Sequence, residues 1–227
     1  MGKRKFFCNG ETMKKKAVIL FSGGLDSTTV LYYAMSKKYD CHCLIFDYGQ
    51  KHKKEVKNAA KIAKSLGLVS QTVRIKLPWD KSALTDKTVN IPNHKIIKKG
   101  FVPPTYVPGR NTIFLSYAIS YAETIKADAI FLGINAVDFS SYPDCTGQYL
   151  HAMQSVTKAL KNKITIHAPI EHFSKAQIIK MGMKLKVPYE KTWTCYSGTK
   201  KPCGICDSCK LRAKGFEEVG IDDPALQ

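Results

Sequence analysis

Short apolar runs alternate along this chain with stretches whose apolar residues recur at helical spacing. Ala17–Phe21 is a continuous apolar run of strand length that stops at a Gly-rich turn, and Ser27–Met35 beyond it reads as a helix. A second run, Cys41–Phe46, ends at Asp47. Val56, Ala59, Ala60, Ala63 and Leu66 then mark a helix over Val56–Leu66, with Gly67 as its stop. Val73, Ile75 and Leu77 alternate with polar residues, which predicts a third strand over Gln71–Leu77, exposed on one face and ended by Pro78. Residues 79–104 carry little periodicity and several Pro and Gly, as expected of a loop over a site. A helix over Thr112–Lys126 follows, then a buried strand over Ala129–Leu132 that ends at Gly133. The last predicted elements are a helix near Leu150–Leu160, a strand at Ile164–His167 and a helix opened by a capping box of Ser174 and Gln177. Repeated βα alternation predicts a doubly wound parallel α/β sheet covered on both faces.

Composition narrows the class. With 227 residues, 44% hydrophobic and 24% charged, the chain has the make-up of a globular protein with one main domain. No apolar run approaches membrane-spanning length, and residues 1–16 form a basic stretch without the apolar core of a secretory signal, so a cytoplasmic protein with a flexible basic tail is expected. The formal charge of +18 would draw the chain to any polyanion, nucleic acid included. Most of that excess is Lys dispersed over helices and tails, where it also serves as solvating charge.

The strongest local signal is Ser22-Gly23-Gly24-Leu25-Asp26-Ser27, set between the first strand and the first helix. Glycines let backbone approach an anion, Ser22 and Ser27 offer hydroxyl donors, and a helix N-terminus adds unpaired N–H groups. Asp26 would repel phosphate unless a divalent cation lay between them, which points to magnesium. A tight turn with a capping Asp is the plainer alternative. The segment has neither the Lys of a Walker A loop nor the spacing of a Rossmann fingerprint.

Cys195, Cys203, Cys206 and Cys209 have the form C-x7-C-x2-C-x2-C, the spacing of a closed tetrahedral zinc site with a structural role. Such a site would make residues 191–227 a metal-bound segment packed on a main domain spanning residues 17–190. A redox Cys-x-x-Cys pair or an iron–sulfur centre are the rival readings, and the first leaves two cysteines unexplained. Arg110 stands in a Pro-Gly turn just ahead of a helix, where a guanidinium could clamp a phosphate or a carboxylate, or could simply pair with a surface Glu.

The hexapeptide resembles the PP-loop of the ATP pyrophosphatase superfamily, whose members cleave ATP between the α and β phosphates. Four further segments, Asp47-Tyr48-Gly49-Gln50-Lys51-His52, Val107-Pro108-Gly109-Arg110-Asn111, Ser141-Tyr142-Pro143-Asp144-Cys145 and the cysteine cluster, are similar to signatures of the 7-cyano-7-deazaguanine synthase family. That resemblance implies an adenine nucleotide alpha hydrolase-like fold and a phosphate-contacting Lys at Lys175. It also implies nucleotide contacts from Ser22–Ser27 and Asp47, and substrate contacts from Asn111, Asp138, Tyr142 and Asp144. Asp138 and Asp144 follow the strand ending at Gly133, where a carboxylate could accept the paired N–H donors of a guanine-like ring. A turn-forming role beside Pro143 is the alternative for Asp144, and a solvated helix lysine for Lys175. Two departures stand out: the family pattern has Gly at Ser141 and Arg after the Cys, where this chain has Thr146 followed by Gly147.

The family chemistry joins 7-carboxy-7-deazaguanine, ammonia and ATP into 7-cyano-7-deazaguanine, AMP and pyrophosphate through two adenylations. The resemblance therefore implies catalytic roles for Asp26, Arg110 and Lys175, ATP with magnesium as co-substrate, free ammonia, no direct need for nucleic acid, and a homodimer. A PP-loop tRNA-modifying enzyme, for which Cys145 is the candidate sulfur carrier, and a non-catalytic zinc-stabilised nucleic-acid-binding module are the other readings.

Overall fold

A computed structural model describes residues 14–79, 81–86, 88–91, 102–137, 142–197 and 201–226. Five parallel strands form one sheet in the order β3-β2-β1-β4-β5: β1 Lys16–Leu20, β2 Asp40–Asp47, β3 Val69–Arg74, β4 Ala129–Phe131 and β5 Thr165–His167. Helices α1 Leu25–Ser36, α2 Lys53–Ser65, α3 Arg110–Ile125, α4 Gly147–Ala159 and α5 Lys175–Lys184 alternate with them, and α6 Asp207–Val219 closes the chain.

Strand alternation assigns the two faces. Ala17 and Ile19 of β1 point to a core with α1, α2, α5 and Phe216 of α6, whereas Val18 points to a core built on Leu115, Ala118, Ile119 and Ala122 of α3 and Met153 of α4. Each fully buried Leu or Ile here contributes roughly 1.5–3 kcal/mol relative to exposure. That two-faced burial is why β1, β2 and β4 read as unbroken apolar runs.

The third strand differs from its sequence pattern. It begins two residues earlier than expected, ends at Arg74, and is exposed at every position but the half-buried Val73. It lies at the sheet edge, where polar Ser70, Gln71 and Thr72 and the charge of Arg74 suit a strand that water must reach. The expected capping box is present: Ser174 Oγ accepts from Gln177 N at 3.3 Å and Gln177 Oε1 accepts from Ser174 N at 2.7 Å. The described residues among 79–104 form no helix or strand, and Ala83 and Leu84 within them are buried. Part of the positive charge has a local use, since Lys38, Lys126, Lys161 and Lys186 hold left-handed backbone where α1, α3, α4 and α5 end.

Helix α6 has no counterpart among the predicted elements. It lies against α5 at Gly215, where a Cβ would come 2.5 Å from the Lys175 side chain. It is also tied to the preceding segment by Arg212, which is buried and forms a bidentate pair with Asp223 at 2.6 and 2.8 Å. The same guanidinium donates to Thr192 Oγ1 and to the Tyr189 carbonyl at 2.7 and 3.1 Å. Removing the carboxylate by Asp223→Ala leaves a buried charge unpaired, and urea denaturation is expected to show a loss of about 3–5 kcal/mol. A loss within experimental error would contradict this account of how α6 is anchored.

Candidate active site

Chain order places the site. After β1 the chain turns to one side of the sheet for β2 and β3 and returns to the other side for β4 and β5, so a crevice opens beyond the carboxyl ends of β1 and β4. A cavity of about 250 Å³ lies there, walled by the loop after β1, the start of α3, the residues after β4 and the segment leading to α6.

The glycine loop forms the floor. Gly23 has φ +78, and a Cβ on it would sit 2.7 Å from the Ala59 backbone nitrogen, so only glycine lets α2 press this closely on the loop. Ser22 Oγ and Ser27 Oγ are 3.0 Å apart, and Gly24 N donates to Ser22 Oγ at 3.3 Å. Gly24 caps α1 without a side-chain bond, which leaves the helix N-terminus without a competing side-chain acceptor. Trp193 N donates to Gly23 O at 3.0 Å, so the segment that leads to the cysteines is fastened to this loop directly.

Asp26 and Lys175, distant in sequence, meet here. Lys175 Nζ lies 2.7 and 2.8 Å from the two Asp26 carboxylate oxygens, and both side chains line the cavity. Lys175 is the first residue of α5, and Gly215 on α6 gives its stem room. Across the cavity Arg110 opens α3 and donates through Nη1 to Tyr48 Oη at 3.1 Å. The motif that carries Tyr48 is shaped by Gln50, whose buried amide accepts from Tyr48 N at 2.8 Å and donates to Phe46 O at 3.0 Å.

The remaining expected contacts divide. Asn111 and Tyr142 line the cavity. Asp144 is buried outside its lining, accepting from Asn111 N at 3.0 Å while its carbonyl accepts from Asn111 Nδ2 at 2.9 Å. Its carboxylate thus fixes the start of α3 in place of facing a ring, a position the helix N-terminus favours. Asp47 also lies outside the lining, with Lys53 Nζ 3.7 Å away. Asp138 and Ser141 lie outside the described residues. Thr146, which departs from the family pattern, caps α4 by accepting from Tyr149 N at 3.2 Å.

Sequence reasoning missed Glu55. It stands in the first turn of α2, half-buried as a residue, with its carboxyl group enclosed in the cavity wall. Burial raises it from 4.5 to about 7, against the opposing pull of a hydrogen bond from Ser22 and the charge of Arg110. Folding thereby favours its protonated form, so this group withdraws stability as pH rises from the ordinary carboxylate range to about 7. Burial, with the Asp144 carboxylate second, pushes the Cys145 thiol up to about 12. That residue is held as a thiol and is a poor nucleophile.

The four cysteines converge beside this cavity. Their sulfurs all lie within 4.8 Å of one another, close to the roughly 3.8 Å edge of a tetrahedron built on metal–sulfur bonds of about 2.3 Å. Backbone amides point at them as they do at thiolates: Cys203 N and Ser197 N donate to Cys195 Sγ at 3.2 and 3.4 Å, and Cys206 N to Cys203 Sγ at 3.4 Å. The donor set fits a single metal ion. Cys195 and Tyr196 line the cavity, and Cys206 caps α6, so the four-cysteine cluster and the crevice share a wall.

Solved structures with little sequence likeness share the fold. An NMN synthetase from Francisella tularensis matches with a TM-score of 0.50 and 15% identity over 92% of this chain and 79% of that one. A 4-thiouridine synthetase in complex with RNA and bound ATP matches with a TM-score of 0.50 and 20% identity, over 93% of this chain and 52% of that one. Sequence likeness is far stronger to proteins called 7-cyano-7-deazaguanine synthase. The Thermoplasma volcanium protein is 49% identical over 93% of this chain and 90% of its own length. The Clostridium kluyveri protein is 49% identical over 92% and 96%, and the Trichodesmium erythraeum protein 47% over 93% and 100%. The family model described as queuosine biosynthesis protein QueC matches residues 16–220, from the first strand through the last helix, and on that span and those identities the chain belongs to the QueC family.

Proposed function

We propose that this protein is a 7-cyano-7-deazaguanine synthase, an ATP-dependent ligase that converts 7-carboxy-7-deazaguanine and ammonia to the nitrile through adenylated intermediates. The observation that carries the reading is the meeting of the glycine loop, the Asp26–Lys175 pair and Arg110 around one cavity, in a chain of this family. A carboxylate cannot expel oxide, so its oxygen must first become part of a phosphate leaving group. The loop amides and the hydroxyls of Ser22 and Ser27 would grip the β and γ phosphates, leaving the α phosphorus open to the acid. Lys175 would neutralise charge on the departing pyrophosphate, and Arg110 would hold the attacking carboxylate.

Asp26 would hold magnesium, an ion that takes one carboxylate and draws its other ligands from phosphate and water. That ion would supply charge neutralisation on the polyphosphate. Zinc on Cys195, Cys203, Cys206 and Cys209 would be structural, its fourth position closed by sulfur. Ammonia attack on the acyl-adenylate gives an amide, and a second adenylation at the amide oxygen permits loss of AMP to leave the nitrile. Asn111, Tyr142 and Asp138 would present the base to this chemistry, with Asp144 acting through Asn111. We further propose a cytoplasmic homodimer acting on small molecules without nucleic acid. Among the described residues no helix is long and apolar enough to cross a membrane. Sulfur transfer through Cys145 is disfavoured by the burial that keeps its thiol protonated.

The test is incubation of pure protein with ATP, magnesium, ammonium and the carboxy-deazaguanine. Two AMP per nitrile are expected by nucleotide chromatography and product mass. Salt-dependent tRNA binding with no turnover of the small molecule would overturn the proposal.

A further inference from the structure

The nitrogen chemistry needs a group that the adenylation machinery does not supply. At neutral pH ammonia is present chiefly as ammonium, which has no lone pair with which to attack an acyl carbon. A base close to that carbon must take a proton. Asp26 is paired with Lys175 and, with nucleotide bound, is assigned to magnesium, and the Cys145 thiol, already protonated, has no lone pair basic enough for the task. Tyr196 lies in the same wall, and a phenol is not a proton acceptor at neutral pH.

Glu55 is the cavity carboxylate left over among the described residues, and its surroundings point to its place. It accepts a hydrogen bond from the Ser22 hydroxyl of the glycine loop, it feels the charge of Arg110 on α3, and it lines one cavity with both, with Tyr196 of the segment before α6, and with His52 at the cap of its own helix. It therefore shares one cavity with the loop assigned to the phosphates and the cation assigned to the substrate carboxylate, where the acyl carbon of an adenylate held by both would lie.

We propose that Glu55 is the proton acceptor for the nitrogen nucleophile, binding ammonium through its carboxylate and taking a proton from it as ammonia is delivered to the acyl-adenylate. The nitrogen lone pair freed in this way forms the C–N bond. The C–O bond to the phosphate then breaks, its electron pair leaves on AMP, and the second proton lost from nitrogen passes to water, giving the primary amide. No oxidant or further reactant is required. The carboxylate is the base form, and its rise to about 7 puts the change of form where a base works best near neutrality. The inference rests on the ligase reading above.

The experiment separates the two half-reactions in the full chain with zinc bound. Exchange of labelled pyrophosphate into ATP, dependent on the carboxy-deazaguanine and run without ammonium, reads adenylation alone. Hydroxylamine, neutral at neutral pH, captures the adenylate as a hydroxamate without needing a base. Glu55→Gln is expected to keep exchange and hydroxamate formation within about threefold while amide formation from ammonium falls about a hundredfold or more. The ratio of wild-type to variant rate with ammonium should fall as pH rises beyond about 7, because the wild-type carboxylate is by then ionised while the free ammonia on which the variant depends keeps increasing, and the hydroxylamine ratio should stay flat. Glu55→Asp, which keeps the acid, should recover part of the ammonium rate. Loss of exchange equal to the loss with ammonium, or an ammonium rate left intact in Glu55→Gln, would overturn the proposal. Wild-type protein that shows no exchange at all would overturn the ligase reading itself, and this inference with it.

Discussion

Asp26→Asn is expected to lower kcat/KM for nitrile formation by about a hundredfold to a thousandfold, the scale on which removal of a single preorganised charge-stabilising group is felt. The neighbouring cation makes this specific. Lys175 Nζ sits within hydrogen-bonding distance of both Asp26 oxygens, so the pair is neutral before nucleotide arrives. With ATP bound, the ammonium can pass to phosphate while the carboxylate takes magnesium, an exchange of partners that an amide at position 26 cannot support. The change also leaves Lys175, about a tenth exposed, without its carboxylate, so some stability is lost with the activity, and the thermal midpoint measures that part separately. The measurements are the rate with magnesium titrated at fixed ATP and the thermal midpoint of the same preparation. A wild-type rate with an unchanged magnesium requirement would contradict the role given to this carboxylate.

Stripping the metal should have the second large effect, and on two properties at once. Cys206→Ala, or prolonged chelation, is expected to cost about 4 kcal/mol or more, as loss of a structural metal commonly does. Activity should fall with it, because the segment that carries the cysteines builds the site: Trp193 N bonds Gly23 O, Tyr196 lines the cavity, and Gly215 of α6 packs on the Lys175 stem. Elemental analysis should find zinc equimolar with protein, and the thermal midpoint and the rate should be lost together as it is removed. Metal-free protein that keeps both would contradict the structural role of the cysteines.

Much of the frame was legible from local signals. Apolar runs buried on both faces announced β1, β2 and β4, and the Ser174–Gln177 box announced α5 to the residue. The glycine loop was visible because its chemistry is contiguous. Glu55 was not, since beside Lys53 and Lys54 it has the look of an ordinary solvated helix turn; only the approach of α2 to Gly23 carries it into the cavity. Helix α6 was overshadowed by the cysteines that start it, although Leu211, Gly215, Phe216 and Val219 share helical spacing and Gly220 ends it at φ +78. The hydrogen bonding of Asp144 was not legible for a related reason. A carboxylate in a loop after β4 suggests a ligand contact, and its bond to Asn111 N depends on where α3 begins.

The central claim is that the acid attacks the α phosphorus of ATP. Substrate carrying heavy oxygen in its carboxylate tests it most directly, because the oxygen that links acid to phosphorus leaves with the nucleotide. The account predicts the label in AMP, with pyrophosphate unlabelled. Label in orthophosphate, accompanied by ADP, would contradict it.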